Sequence, residues 1–488
     1  CRPFPVRKLR GWLGSLLGTA ASFAVLAGLI LTVYASNDLY GSFRVSNASY
    51  VPSVFNELGF PYCFCHQFTT YLVDKPEGFD RAEAASWDQG GQTGLGADVN
   101  VIMVMNEAFS DITEDDAFAF TAENDPLKNL HALEQDPHAV SGHIVVSGFA
   151  GGTANTEFDV LTGMQASAIS ADNPSSFRVV NRNVDSLFRL FGDDGARTSF
   201  FHPGDDWFYN RENVYRWFGA EKTVFIDQME DPAYKGRWVT DDYMAGLIEQ
   251  EFEDTVDAGE TLFHYTTTIQ NHMSYTADKY GEGYEYPEVP LNVEVSDQVA
   301  SMLNIYVEGV RDADAMLGRL VDYFSQRSEP VVLVFLGDHL PYLGDNRQAY
   351  AELGMEIALP EAEQSDPLCS YETPYVIWAN DAAAQALDWE TAAAALDLPE
   401  SGTISASFLG AAVLELTGRS GELPWFDFLN QLRRVVPAVR HQTYLLADGT
   451  YCRTEAELTA TQSGQEAYDL VLKWRQWSYY KLLYKEMD

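Results

Sequence analysis

Basic residues are scarce in this chain: 31 Lys and Arg stand against 72 Asp and Glu, a formal net charge of −41 over 488 residues. That balance excludes a protein that tracks nucleic-acid backbones, which need basic patches. It leaves room for a small anionic substrate, because a local cluster of Arg, His and metal outweighs a distant field. An acidic, solvated surface suits a protein outside the cell. Cysteine is also sparse, with five in all. Cys63 and Cys65 are too close in sequence for an easy bridge, and the absence of any C-x-x-C pair argues against structural zinc. Cys369 with Cys452 is the one candidate disulfide. There is no internal repeat and no low-complexity tract.

What is present begins with an uncharged run over residues 11–37, preceded by Arg2, Arg7, Lys8 and Arg10. As a helix it would be about 40 Å long, enough for a hydrocarbon core of about 30 Å. Signal-peptide apolar regions are shorter, about 7–15 residues. The run therefore predicts a transmembrane helix, with a buried soluble helix and a cleaved signal as the alternatives. The basic flank places residues 1–10 in the cytoplasm and everything after Asp38 outside, giving a membrane protein with an extracellular catalytic domain. The chain begins at Cys1, so a processed chain or part of a longer protein is expected. The expected divisions are a cytoplasmic flank (1–10), the membrane helix (11–37), an extracellular linker (38–97) in which residues 62–68 lie against membrane or domain, a catalytic domain (98–420) and a small C-terminal subdomain (421–488).

From residue 98 onward, apolar runs ending in polar turns recur at 99–105, 143–147, 198–202, 223–226, 262–269, 331–336 and 374–378. Helical patterns lie between several of them, the longest over 295–325. Strands alternating with helices predict an α/β fold around a largely parallel sheet flanked by helices. Ligands in such sheets sit beyond the carboxyl ends of the strands. Two alanine-rich helices are expected at 381–396 and 405–416. A helix interrupted at Pro437 (424–440), a hairpin turning at Asp448-Gly449 (442–451) and a final helix (465–485) should follow.

Three segments carry candidate chemistry. The first strand runs into Asn106-Glu107-Ala108-Phe109-Ser110-Asp111, and the 331–336 strand runs into Gly337-Asp338-His339. Asp338 and His339 offer an oxygen and a nitrogen to one ion, with Gly337 letting the backbone turn and Glu107 as a third ligand. Such a mixed site suits Mn²⁺, Mg²⁺ or Zn²⁺; a capped, hydrogen-bonded turn is the other use of these residues. Between them lies Gly151-Gly152-Thr153-Ala154-Asn155-Thr156-Glu157-Phe158. Ala154, Phe158 and Leu161 share one helical face and Gly163 ends the helix, so Thr153 stands at a helix N-terminus. There it can be a plain N-cap. Alternatively, beside a metal and a positive helix end, its hydroxyl can attack phosphorus.

The same segments in the same order resemble lipoteichoic acid synthase-like phosphoglycerol transferases of the sulfatase and alkaline phosphatase superfamily. The resemblance covers roughly residues 99–380, with the N-terminal helix and linker before it. It implies Thr153 as nucleophile and metal contact, with Glu107, Asp338 and His339 as the other ligands and Mn²⁺ as the usual ion. The segment beginning at His202 resembles that family's glycerol-phosphate pocket, which puts His202, Phe208, Tyr209 and Arg211 on the substrate, Tyr209 replacing the usual Trp. Asn271-His272 resembles its Asn-His segment and puts His272 on the phosphate. Read alone, His202 and His272 fit loop or core histidines equally well. The family usually carries five membrane helices, and one is visible in this sequence.

The implied reaction moves glycerol phosphate from phosphatidylglycerol through a covalent threonine intermediate to a polyglycerophosphate or another envelope glycan. Phosphoethanolamine transferase or phosphodiesterase activity would use the same residues. A sulfatase-type hydrolase is disfavoured, since no Cys or Ser stands in a C/S-x-P-x-R motif. A non-catalytic envelope scaffold is weakened by the presence of the hydroxyl and every candidate ligand together.

Overall fold

The computed structural model describes residues 6–34, 39, 43, 56–67, 73–91, 96–112, 115–169 and 175–487. Arg2, residues 35–37 and Phe68 lie outside them. Two compact units separate, one ending at Val73 and the other taking Asp74–Ala171 and Ser175–Asp488. In the first, a helix forms at Val6–Leu29, continues as a π-helix over Ile30–Tyr34, and a second helix covers Phe60–Gln67. The expected membrane span is not reproduced: among the described residues no helix is long and apolar enough to cross a membrane. Gly14, Ser15, Gly18, Thr19, Ser22 and Gly28 dilute the apolar run, and Thr19 and Ser22 turn their hydroxyls back onto the Ser15 and Gly18 carbonyls.

The second unit is built on strands β1 Asn100–Asn106, β2 Ala139–Val145, β3 Arg197–Phe201, β4 Lys222–Val224, β5 Tyr234–Lys235, β6 Trp238–Val239, β7 Leu262–Thr267, β8 Val331–Gly337, β9 Glu372–Ala379, β10 Ile404–Ser405, β11 Ala438–Arg440, β12 Thr443–Leu445 and β13 Tyr451–Cys452. Eight form one sheet in the order β10-β2-β9-β8-β1-β7-β3-β4. All run the same way except β9, which is antiparallel to both β8 and β2. The carboxyl ends of β1, β2, β3, β7 and β8 therefore share one edge with the start of β9.

The centre of the sheet is apolar because it is covered on both faces: every residue of β1 and β8 is buried, as parallel strands require. The long helix Asp297–Ser325 covers one face. Ser296 caps it by accepting from the Val299 N–H, and Leu303, Tyr306, Val310, Ala313, Leu317, Leu320 and Phe324 form its buried stripe. Each of the larger side chains in that stripe contributes about 1.5–3 kcal/mol of burial.

The C-terminal elements belong to the same unit. The helix Gln462–Leu483 turns Trp474 inward, where Nε1 donates to the Gly163 carbonyl at 2.9 Å. Trp425, from the helix Pro424–Arg433, donates to the Thr162 carbonyl at 2.9 Å. Together they clamp the far end of the helix that Thr153 begins. The helix expected over 424–440 stops at Arg433, and the residues after Pro437 form β11 instead. The 381–396 stretch divides at Asp388, whose φ of 49° interrupts the helix. Cys369 and Cys452 are free thiols, so the candidate disulfide does not form.

Candidate active site

Two strand ends interlock at the shared edge. Past β1, the Glu107 N–H donates to Thr268 Oγ1 at 3.1 Å and the Ala108 N–H donates to Asp338 Oδ1 at 2.7 Å. Ala108 takes a φ of 51°, uncommon for alanine. Tyr306, on the long helix, holds this turn by donating to the Ala108 carbonyl at 2.9 Å. Gly337, the last residue of β8, has an ordinary strand backbone, contrary to the turning role expected for it. Its lack of a side chain serves a close approach: a Cβ there would fall 1.9 Å from the Phe109 carbonyl oxygen.

The result brings Glu107, Asp338 and His339 together, buried, with one ligand atom from each lying within 4.8 Å of the others. His339 Nε2 is 3.1 Å from Asp338 Oδ2 and 3.7 Å from Glu107 Oε1. His339 Nδ1–H donates to the Leu340 carbonyl at 3.0 Å, which leaves the Nε2 lone pair facing the carboxylates. Asp338 Oδ2 is buried without a hydrogen-bond partner. Burial, and then the Asp338 charge, push the Glu107 carboxyl up to about 8. Two crowded carboxylates, an orphaned oxygen and an oriented imidazole fit one divalent cation, whose charge would relieve all three strains.

Thr153 opens the helix Thr153–Thr162, after Gly151 and Gly152 at φ 151° and 96°. The N-cap is Gly152, and no side chain caps this end. Thr153 is thus the first helical residue rather than the cap, which removes the plain structural role left open for it. Thr156, on the same face one turn along, donates to the Asp338 carbonyl at 2.7 Å and ties this helix to the ligand loop.

Across β7 and β3 lies a second buried group. Arg211 places its Nη2 2.6 Å from Glu157 Oε1 and its Nε 3.2 Å from the same atom, and Tyr215 OH donates to Glu157 Oε2 at 2.8 Å. Arg211 Nη1 donates to His202 Nε2 at 3.2 Å, and His202 Nδ1–H donates to the Thr267 carbonyl at 2.9 Å. Burial and then the Arg211 charge hold the His202 pKa well below its usual value, so the imidazole is neutral. Most of the Arg211 fork faces Glu157 rather than open space. Glu157 is a residue that sequence reasoning missed; its only signal is its place one helical turn beyond Thr153.

The other expected contacts sit at the rim. Tyr209 is half-buried with its ring 5.2 Å from the Arg211 guanidinium, whereas Phe208 is 49% exposed. His272 is half-buried against Trp238 and donates from Nδ1 to the Met273 carbonyl at 2.8 Å; burial lowers its pKa. Sequence reasoning also missed Lys279. It is buried among the Trp238, Tyr275 and Tyr280 rings and donates to the His272 carbonyl. Burial pulls its pKa down to about 7.

The Sulfatase family model matches residues 99–419, which span β1, the Thr153 helix and β8. The chain belongs to the Sulfatase family. Among solved structures it is similar to the Streptococcus pyogenes phosphoglycerol transferase GacH in complex with sn-glycerol-1-phosphate, with a TM-score of 0.62 and 18% identity over 84% of this chain and 95% of that one. The lipoteichoic acid synthase LtaP of Listeria monocytogenes gives a TM-score of 0.57 and 17% identity, over 83% and 99%. At these identities the likeness is one of fold. A putative cyclic beta-1,2-glucan modification protein of Rhizobium meliloti is 26% identical over 323 residues, 65% of this chain and 46% of its own. The chain spans about half the length, or less, of the curated relatives it matches.

Proposed function

We propose that this Sulfatase-family chain is a metal-dependent phosphoglycerol transferase that moves glycerol phosphate from phosphatidylglycerol to an envelope glycan. The observation that carries the reading is Thr153 at the first helical position, not engaged as a cap, on a helix pinned to the Asp338 loop. Glu107, Asp338 and His339, with Thr153, hold one divalent ion. Mn²⁺ is the choice that the sequence resemblance favours. When bound, the ion polarises the phosphoryl group and neutralises its charge.

In the first half-reaction Thr153 Oγ bonds to phosphorus, the bond from phosphorus to the diacylglycerol oxygen breaks, and diacylglycerol departs with a proton. In the second, an acceptor hydroxyl bonds to phosphorus, the bond to Thr153 Oγ breaks, and the threonine regains its proton. Arg211 and neutral His202 border the phosphate, with Glu157 fixing the guanidinium. Tyr209 and Phe208 line the glycerol side, and His272 faces the phosphoryl oxygens. We place the catalytic unit at the outer face of the cell membrane, the side that the basic flank before the N-terminal run predicts. GacH is named for phosphoglycerol transfer and the Rhizobium relative for glucan modification. Together they favour a glycan acceptor over an unattached polyglycerophosphate.

The test is incubation of the purified chain with labelled phosphatidylglycerol and Mn²⁺. Diacylglycerol release and a glycerophosphoryl group on Thr153 are expected. Release at the wild-type rate by Thr153→Ala would sink the reading.

A further inference from the structure

The loop over residues 203–210 leaves β3 at the sheet edge that carries Glu107 and Asp338, and it ends where the helix Arg211–Phe218 begins. Its backbone is folded tightly on itself. The Phe208 N–H donates to the Asp205 carbonyl at 3.2 Å, the Asn210 N–H to the Trp207 carbonyl at 2.9 Å, and the Glu212 N–H to the Asp206 carbonyl at 3.1 Å. Tyr209 and Asn210 both take left-handed backbone, at φ 56° and 60°. That conformation disfavours a bulky aromatic residue and persists where the surroundings hold it. The turn sets Tyr209 against the Arg211 guanidinium and leaves Trp207 and Phe208 outside.

Trp207 is 69% exposed, more than any other large apolar side chain among the described residues. Its ring meets that of Phe208 edge to face, with centroids 5.9 Å apart and planes at 80°. Among the described residues of the second unit, every other exposed large apolar side chain stands alone in sequence. Scattered apolar side chains need no explanation, whereas a tryptophan and a phenylalanine held together in solvent by a strained turn do. Two rings at right angles make a wedge and not the flat platform on which a sugar ring stacks. The flanking Asp205, Asp206 and Glu212 offer no attraction to an anionic surface, so contact here depends on the rings themselves. An indole, apolar in its body and polar at its N–H, suits the boundary between lipid headgroups and acyl chains.

Position points to the same occupant. Phosphatidylglycerol stays embedded in its bilayer by two acyl chains while its short headgroup projects from the surface. For that headgroup to meet His202 and Arg211, the rim of their pocket must come to the bilayer, and Trp207 and Phe208 stand on that rim. We propose that these two residues form a membrane wedge, which enters the bilayer interface and holds the pocket against the lipid surface. That this lipid is also the phosphoglycerol donor rests on the transfer reaction proposed above; the membrane contact itself does not.

Two measurements on the full chain separate these claims. First, the fluorescence that Trp207→Ala removes, out of that from ten tryptophans, is the Trp207 signal. The variant should melt as the wild type does, because the side chain is exposed. Vesicles of brominated phosphatidylcholine should shift the Trp207 signal to the blue and quench it, at high salt as well as low, and a soluble glucan should do neither. A signal that vesicles neither shift nor quench overturns the wedge. So does one that the glucan shifts and vesicles do not, which would give the pair to an acceptor.

Second, diacylglycerol release is compared on phosphatidylglycerol vesicles and on soluble short-chain phosphatidylglycerol. Trp207→Ala should raise KM about tenfold on vesicles at unchanged kcat and leave both constants unchanged on the soluble lipid. Trp207→Phe should recover part of the loss. An equal loss on the two substrates would make Trp207 a headgroup contact and overturn the wedge. If the wild-type chain releases no diacylglycerol, the proposed reaction fails, while the quenching measurement still decides the wedge.

Discussion

At Thr153 the difference between a cap and a nucleophile is a matter of one position. A cap hydroxyl is occupied by the N–H groups of its own helix, whereas a hydroxyl at the first helical position is available to a substrate. Thr153→Ala, at a buried position, should therefore cost only about 1 kcal/mol of stability and lower diacylglycerol release about a thousandfold or more. Thr153→Ser should retain part of the rate, since the oxygen stays and only the methyl that restricts its rotamer is lost. A lipid assay beside a thermal melt reads both. Glu157 gives a second prediction. Removing one partner of a buried pair costs about 3–5 kcal/mol, so Glu157→Gln should lower the unfolding midpoint and the rate together, while metal stoichiometry, measured by elemental analysis, is retained. These residues differed in how legible they were. Glu107, Asp338 and His339 follow apolar strand runs, so the pattern that marks the strands also marks their ends. Glu157 pairs with Arg211 across 54 residues, with Tyr215 across 58, and nothing local announces such a link.

Elements were legible where burial is two-sided and obscure where it is not. β1 and β8 read clearly as unbroken apolar runs. β2 is half-exposed over Ala139–His143, so its apolar end alone was visible, and the strand starts four residues earlier than expected. That β9 runs against its neighbours depends on the connections around it, which leave no mark in its sequence. Interlocking of the β1 and β8 ends gives a prediction at this scale. Gly337→Ala would drive a Cβ into the Phe109 carbonyl and push the two ligand loops apart. Metal affinity should fall about 10–100-fold, the range for lost support of a ligand shell, and a titration with Mn²⁺ measures it. The turn after β1 is also held from outside the site: His131, on the helix Lys128–Leu133, lies 2.9 Å from Asp111 and 2.7 Å from Asp125. The hydrogen bond to Asp111, foremost, raises the His131 pKa to about 10. The folded pKa is above the unfolded one, so this stabilisation is complete below pH of about 6.5 and is lost as pH rises through about 10. His131→Gln should flatten the fall of the unfolding midpoint across that window and change little outside it.

For the whole molecule, the dominant quantity is a charge of −41, which the proposed reaction would bring to a phosphatidylglycerol surface that is itself anionic. Repulsion of this kind acts over a Debye length, about 30 Å at 0.01 M salt and about 8 Å at 0.15 M. It opposes approach of the unit as a body and leaves contacts inside the site, where Arg211 and Lys279 are buried, almost untouched. The two effects can be separated with two probes of the same chemistry. On phosphatidylglycerol vesicles, raising the salt should lower the apparent KM several-fold at constant kcat, because encounter improves and chemistry does not change. On a soluble short-chain phosphatidylglycerol below its micelle concentration, the same salt range should move KM far less, since a single headgroup carries one charge and no extended surface. Diluting the vesicles with a zwitterionic lipid should reproduce the effect of salt. The opposite outcome, a KM that rises with salt on vesicles, would mean that Arg7, Lys8 and Arg10 in the N-terminal segment govern docking in place of the acidic catalytic unit. Replacing those three residues with glutamine would then restore the fall.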